Sequence, residues 1–371
     1  MLGAAVTPLA SILGSGLLII VPVLEGTLGA LSIVGVVAVC AVAWFAGTAV
    51  RHGVRVVEPL AGSGDLDVTT RRLDRSGDVV IVIAYIISVA LYLRIMAKYV
   101  VNYLGPAGGL GAEKILACVA VAVIVAVGVT RGFSGLDRLD RVSLAAVLLL
   151  TTVLGGALLF HDGREVLGAG LTLPPVPDAG VMHALLVLGG IVITVQGFET
   201  VRFLGAQYDA ETRVWASRLA QLIAASIYIG FVAVATPLMG LGTAAGADST
   251  LLSITERAAP LLLMPLVISA VLSQFSAAVA DTAAAEGNLR QLSRWMHGSR
   301  PFLLSGAAAI GLAATVPTYT IVAVASRAFA AYYAIQAVIA LRTTPGWPKR
   351  VGYGALALLM VAIAVFAEPA G

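Results

Sequence analysis

Apolar runs long enough to cross a membrane recur along this chain from residue 9 to residue 366, with no room between them for a large soluble domain. Crossing about 30 Å of hydrocarbon takes roughly 20 helical residues, and lipid offers the backbone no hydrogen-bond partner. The runs therefore predict an all-α polytopic membrane protein of about 11 transmembrane helices. Their expected spans are 9–26, 29–50, 78–103, 113–130, 141–161, 182–205, 214–239, 258–286, 302–316, 318–341 and 350–366. Charged residues make up only 12% of the chain, against about 25% in soluble domains. Its principal partner is thus the lipid bilayer.

Lys and Arg report the orientation. Loops on one side collect Arg51, Arg55, Arg71, Arg72, Arg75, Arg131, Arg138, Arg141, Arg202, Arg213, Arg218, Arg290, Arg294, Arg300, Arg342, Lys349 and Arg350. The other side has Lys114, Arg164 and Arg257. The basic side is expected in the cytoplasm, which puts the N terminus inside and the C terminus outside in a plasma-membrane protein. The stretches 162–181 and 240–257 then lie outside, and 51–77 reads as an exposed cytoplasmic linker. The first segment reads as a retained helix, since it lacks a basic flank and a cleavage site.

Several function classes are excluded by what the sequence lacks. The basic residues are scattered over short loops rather than clustered, so nucleic acid is not an expected partner. No phosphate loop, nucleotide fingerprint or zinc-ligand spacing occurs, which argues against an ATP-driven pump and against a cofactor. Cys40 and Cys118 sit in apolar runs as small hydrophobes. Nothing in the sequence fixes an oligomeric state.

Two polar interruptions carry the functional signal. "SILGSGLLIIVP" (11–22) puts Gly14, Ser15 and Gly16 inside the first segment, and "VQGFETVRF" (195–203) puts Gly197, Phe198 and Glu199 inside the sixth. Small residues within a membrane helix can mark close packing or a discontinuity, and both readings are open for Gly14 and Gly16 alone. Two interruptions five segments apart match an inverted-repeat secondary transporter. Repeat one would cover 9–161 and repeat two 182–341, with an additional helix at 350–366, all within a single membrane domain, 1–371. Helices 1 and 6 would both be discontinuous.

The interruptions, with "AYIISVALYLRIMAKYVVNYLG" (84–105), "GVTRGFSGLDRLDRVSLAAVLLL" (128–150) and "QFSAAVADTAAAEGNLRQLSRWM" (274–296), resemble the amino acid/polyamine/organocation (APC) superfamily. Its fold is the five-plus-five inverted repeat known from the bacterial leucine transporter. After "GFE", the superfamily usually continues with paired acids and Asn-Pro, where this chain has "TVRFLGAQYDAETR". The resemblance implies secondary active transport of an amino acid or related small amine by alternating access, with no catalytic residues. A transporter-like sensor that binds an amine without completing the cycle is the second reading.

The resemblance also implies roles for residues. Gly14, Ser15 and Gly16 would hold a substrate carboxylate, and carbonyls near Gly197 and Phe198 would receive its amine. Tyr85, Ser88 and Tyr92 form a polar stripe on segment 3, with Tyr92 expected to close the site. Ser273 and Ser276, three apart on segment 8, would offer hydroxyls to sodium; the other reading is bonding back to their own helix. A proton is the alternative coupling ion. From the residues themselves, Glu199 is an intramembrane acid with structural, coupling and substrate-contact readings. Arg327 should seek an acid, Glu199 or Asp281, while Arg94 suits an outer gate.

Overall fold

The computed structural model describes all residues except 1, 106–108, 132–135, 168–172, 179, 206, 240–249 and 369–371. The expected outer stretches 162–181 and 240–257, and the quoted piece 128–150, fall partly outside the described residues.

Helix α1 (Leu2–Leu28) turns through Gly29–Leu31 into α2 (Ser32–His52). Gly29, at φ +51°, sits where a side chain would strike the carbonyl of Pro175, and Ser32 Oγ donates to its carbonyl at 2.6 Å. A single widened turn, Gly53–Val57, follows, and then α3 (Glu58–Ser63). Asp67 starts α4 (Val68–Leu104) by accepting the backbone N–H groups of Thr69 and Thr70, both at 3.0 Å. Next come α5 (Gly109–Arg131), α6 (Leu136–Leu167) and α7 (Val181–Gly190).

Asp209 caps α8 (Ala210–Ala235) through Thr212 N at 2.9 Å. The chain ends with α9 (Thr250–Ala258), α10 (Leu263–Leu292), α11 (Arg300–Thr315), α12 (Thr318–Thr343) and α13 (Trp347–Phe366). Each of the eleven apolar ranges overlaps helix in this order, although in the range 182–205 the α-helix ends at Gly190 and the remainder is 3-10 or irregular.

Among the described residues, eight helical runs are long and apolar enough to cross a membrane, one of them the continuous run Gly3–Ser63. Val181–Gly190 and Arg300–Thr315 are apolar but shorter. The fold is all-α and multi-pass. Helix α4 lies at its centre, packed against α5, α10, α11 and α12, while α1 packs on α6, α8 and α10. Helix α13 is peripheral, held by α12, and turns Leu358, Val361, Val365 and Phe366 outward.

Candidate functional site

Segment 6 loses its α-helix at Gly190. The chain continues as a 3-10 turn, Val192–Val195, an irregular Gln196 and Gly197, and a second 3-10 stretch, Phe198–Leu204. Gly197 has φ +123°, and a Cβ there would fall 2.6 Å from Ser11 Oγ and 2.7 Å from Ile12 N. Only glycine meets both demands. The break is therefore pressed directly onto α1.

Hydroxyls from three segments satisfy the freed carbonyls. Ser326 of α12 donates to Gly190 O, Thr194 to Ile191 O and Thr200 to Gly197 O, each at 2.7 Å. Tyr228 of α8 places its hydroxyl 2.7 Å from Ile12 O and 3.0 Å from Thr194 O. One hydroxyl proton serves one carbonyl at a time, so Tyr228 joins α1, segment 6 and α8 at a single atom. Irregular backbone at membrane depth persists only with protein partners of this kind.

Helix α1 corrects the sequence reading. Gly14–Gly16 remain helical within Leu2–Leu28, and the expected discontinuity of helix 1 at these residues is absent. The two glycines serve close approach instead. Gly14 lies against α10, where its carbonyl accepts from Gln274 Nε2 and a Cβ would stand 3.3 Å from Ser273 O. At Gly16 a Cβ would overlap Thr194 O and the Tyr228 hydroxyl. Small residues thus wedge α1 between α10 and the broken segment without costing the helix its own bonds.

The irregularity of α1 comes from prolines, since Pro8 and Pro22 lie inside it and each removes a donor and bends the axis. Pro22 cannot bond Leu18 O, and Tyr99 of α4 donates to that carbonyl at 3.2 Å instead. The side chain of Ser15 lies outside the described residues.

Glu199 sits fully buried beside the break. Its Oε2 accepts from Gly197 N–H and from the Tyr333 hydroxyl, both at 2.9 Å, while Oε1 has no hydrogen-bond partner among the described residues. Rings surround it. Phe198 stacks on Tyr333 with centroids 5.1 Å apart and planes at 23°, and Tyr85 meets Phe203 and Phe329 edge-on at 5.9 Å. Tyr85 is also within electrostatic range of Glu199 and Asp281. The open carboxyl oxygen can receive one more donor or cation.

A family model described as an APC superfamily transporter matches residues 1–367. The chain belongs to the APC superfamily. It is also 32% identical over 341 residues to an uncharacterized protein of Aquifex aeolicus (strain VF5), covering 91% of this chain and 82% of that protein. Membership and the apolar helical bundle together support secondary transport as the general function, and make this a transport protein rather than an enzyme. Among the described residues, no group of three or more His, Cys, Asp or Glu could hold a metal ion.

In this APC protein, Tyr92, Gly197, Phe198 and Glu199 come together, because Gln196 Nε2 of the break donates to the Tyr92 hydroxyl. Gly14 and Gly16 flank the same region. Ser273 lies against Gly14, but its hydroxyl bonds back to Ala270 O at 3.2 Å. Ser276 and Asp281 are buried on the same helix. Two basic residues lie elsewhere.

Arg327 meets neither acid. Its Nε and Nη2 both donate to Ala367 O, the 2.9 Å contact being from Nε. Ala367 closes α13, whose last carbonyls have no helical partner, so a cation finds acceptors there without an acid. Arg94 is 1% exposed and, among the described residues, its hydrogen-bond partner is Thr318 Oγ1, at 3.1 Å.

The stretch 51–77, expected to be a linker, instead builds an ionic network at one end of the APC bundle. Arg202, closing segment 6, pairs with Asp74 of α4 at 3.1 Å and Glu58 of α3 at 3.8 Å, and donates to the Tyr332 hydroxyl at 3.3 Å. Arg213 of α8 holds Glu58 at 2.6 Å and donates to Val201 O at 3.3 Å. Arg55 and Glu211 pair at 2.6 Å on its exposed flank. Local sequence conceals this: the acids lie in a polar stretch that resembles any solvated loop.

Sequence reasoning also passed over Gln196, Tyr228, Gln274 and Tyr333. Two of them carried a signal, since Gln196 and Gln274 are amides inside apolar spans, where an amide must find a partner.

Proposed function

We propose that this chain moves an amino acid or related small amine across the plasma membrane by alternating access, driven by a sodium or proton gradient. One observation carries the reading: the break of segment 6 lies against α1, with a buried acid that keeps one oxygen open at the same place. Substrate would bind between Gly14–Gly16 and Gly197–Phe198. Opening would draw hydroxyls such as those of Thr200 and Tyr228 off carbonyls that a substrate ammonium can then use. Tyr92 would close over the site, and Glu199 would couple ion to substrate.

Ser273 and Ser276 are the candidate sodium ligands, with Asp281 on the inner path and the repeats running 9–161 and 182–341, followed by the helix 350–366. The ionic network of Glu58, Asp74, Arg202 and Arg213 acts as an inner gate, since it ties together segments 3, 6, 7 and the connection before segment 3. On this reading that end, whose excess of Lys and Arg supports it, faces the cytoplasm, with the N terminus inside and the C terminus outside. Arg327 holds α13 in place.

Purified protein in liposomes, screened over amino acids and polyamines with sodium and proton gradients imposed separately, tests this. Accumulation above equilibrium under one gradient is the expected result. Saturable binding without accumulation under either would reassign the chain as a sensor.

A further inference from the structure

We infer that Arg94 and the first turn of α12 form a binding site for a small monovalent inorganic anion of the halide class, distinct from the proposed substrate site. Arg94 is buried in the middle of the fold with no acid paired to it among the described residues. Its Nη2 donates to Thr318 Oγ1 at 3.1 Å, and its Nε and Nη1 have no hydrogen-bond partner among the described residues. A buried guanidinium with two unmade hydrogen bonds and no counter-charge is an unfinished site.

What it faces is electropositive too. Thr318 is the first residue of a 26-residue helix whose N-cap, Pro317, supplies no side-chain acceptor, and the first turn carries no acid. The N–H groups at the start of a helix are unbonded within it and favour an anion. Lys98, one turn beyond Arg94, lies with its Nζ 5.4 Å from the centre of the Tyr319 ring, adding positive charge beside the same turn. An anion seated here would complete Arg94 and the helix start together.

Helix α4 separates this site from the break. Tyr92, which meets Gln196, precedes Arg94 by two residues, and two helical steps of about 100° place them on nearly opposite faces. A carboxylate of a molecule at the break would not reach Arg94, which selects a free inorganic ion over the transported molecule.

The test compares the detergent-purified full chain in sodium chloride, bromide, nitrate and gluconate at equal ionic strength. Chloride is expected to raise the melting midpoint by roughly 2–5 °C over gluconate, and radiolabelled chloride to be retained. Arg94→Gln should abolish both. If that variant fails to fold, Thr318→Asp supplies a tethered carboxylate and should fold without responding to chloride. Equal midpoints in chloride and gluconate with no chloride retained by the unaltered protein would overturn the proposal, as would an undiminished chloride response in either folded variant.

Discussion

Tyr333 and Glu199, far apart in sequence, meet at 2.9 Å, hydroxyl to carboxyl, and tie α12 to the break in segment 6. The same tyrosine stacks on Phe198. Ring and hydroxyl therefore hold two successive residues of the interruption, leaving Glu199 Oε1 open.

Tyr333→Phe keeps the stacking and removes one of two donors to Glu199 Oε2. The loss should be about 1–2 kcal/mol of stability, read as a lower melting midpoint, together with an altered pH profile of uptake. Glu199→Gln should change the dependence on pH or on the driving ion. A uptake profile identical to that of the unaltered protein in both variants would reduce the pair to scaffolding.

Gly16→Val should abolish uptake while still permitting membrane insertion, because the new side chain would displace Thr194 or Tyr228. Overpacking of this kind costs about 1–3 kcal/mol. Uptake assays alongside surface labelling separate lost transport from lost protein; normal affinity and rate would remove Gly16 from the site.

Arg202→Gln leaves Asp74 without its ion-pair partner and takes one of the two arginines from Glu58. Because these groups are partly exposed, the cost should be about 1–3 kcal/mol, below that of a fully buried pair. The functional expectation is a shift towards a conformation open at this end. Cysteine labelling near Glu58 from that side should become faster, and unchanged labelling would argue against a gate.

The Thr70 hydroxyl and backbone N–H, and after them Arg342, hold Asp67 down to about 2, from an ordinary 3.8. A carboxyl lowered on folding stabilises the fold above its unfolded value and loses that contribution as pH falls towards the folded one. Asp67→Asn keeps a capping side chain but removes the charge. The difference in melting midpoint between the two proteins should be constant above pH ~5 and shrink between about 4 and 2.

Much of the architecture was legible because lipid leaves so few options. Long apolar runs must become helices, and a glycine beside an acid in mid-membrane, as at Gly197 and Glu199, is costly unless the backbone there has a special task. Gly14 and Gly16 were not decidable in the same way. Glycine permits a break and permits close packing equally, and only the presence of Ser273, Thr194 and Tyr228 opposite them selects packing. Arg327 was read as needing an acid, yet the end of α13 supplies a carbonyl that no helical pattern could have assigned to it.

From the sequence alone followed an all-helical membrane protein with an interrupted sixth segment, since apolar length and the cost of a buried charge are properties of the chain itself. Which side chains fill that interruption, that α1 stays helical through Gly14–Gly16 beside it, and that residues 51–77 supply acids to an ionic network were decided by the tertiary structure. The physical reason is partnership. A hydrogen bond or close contact belongs to two groups distant along the chain, and its energy is set only once folding has placed the second one.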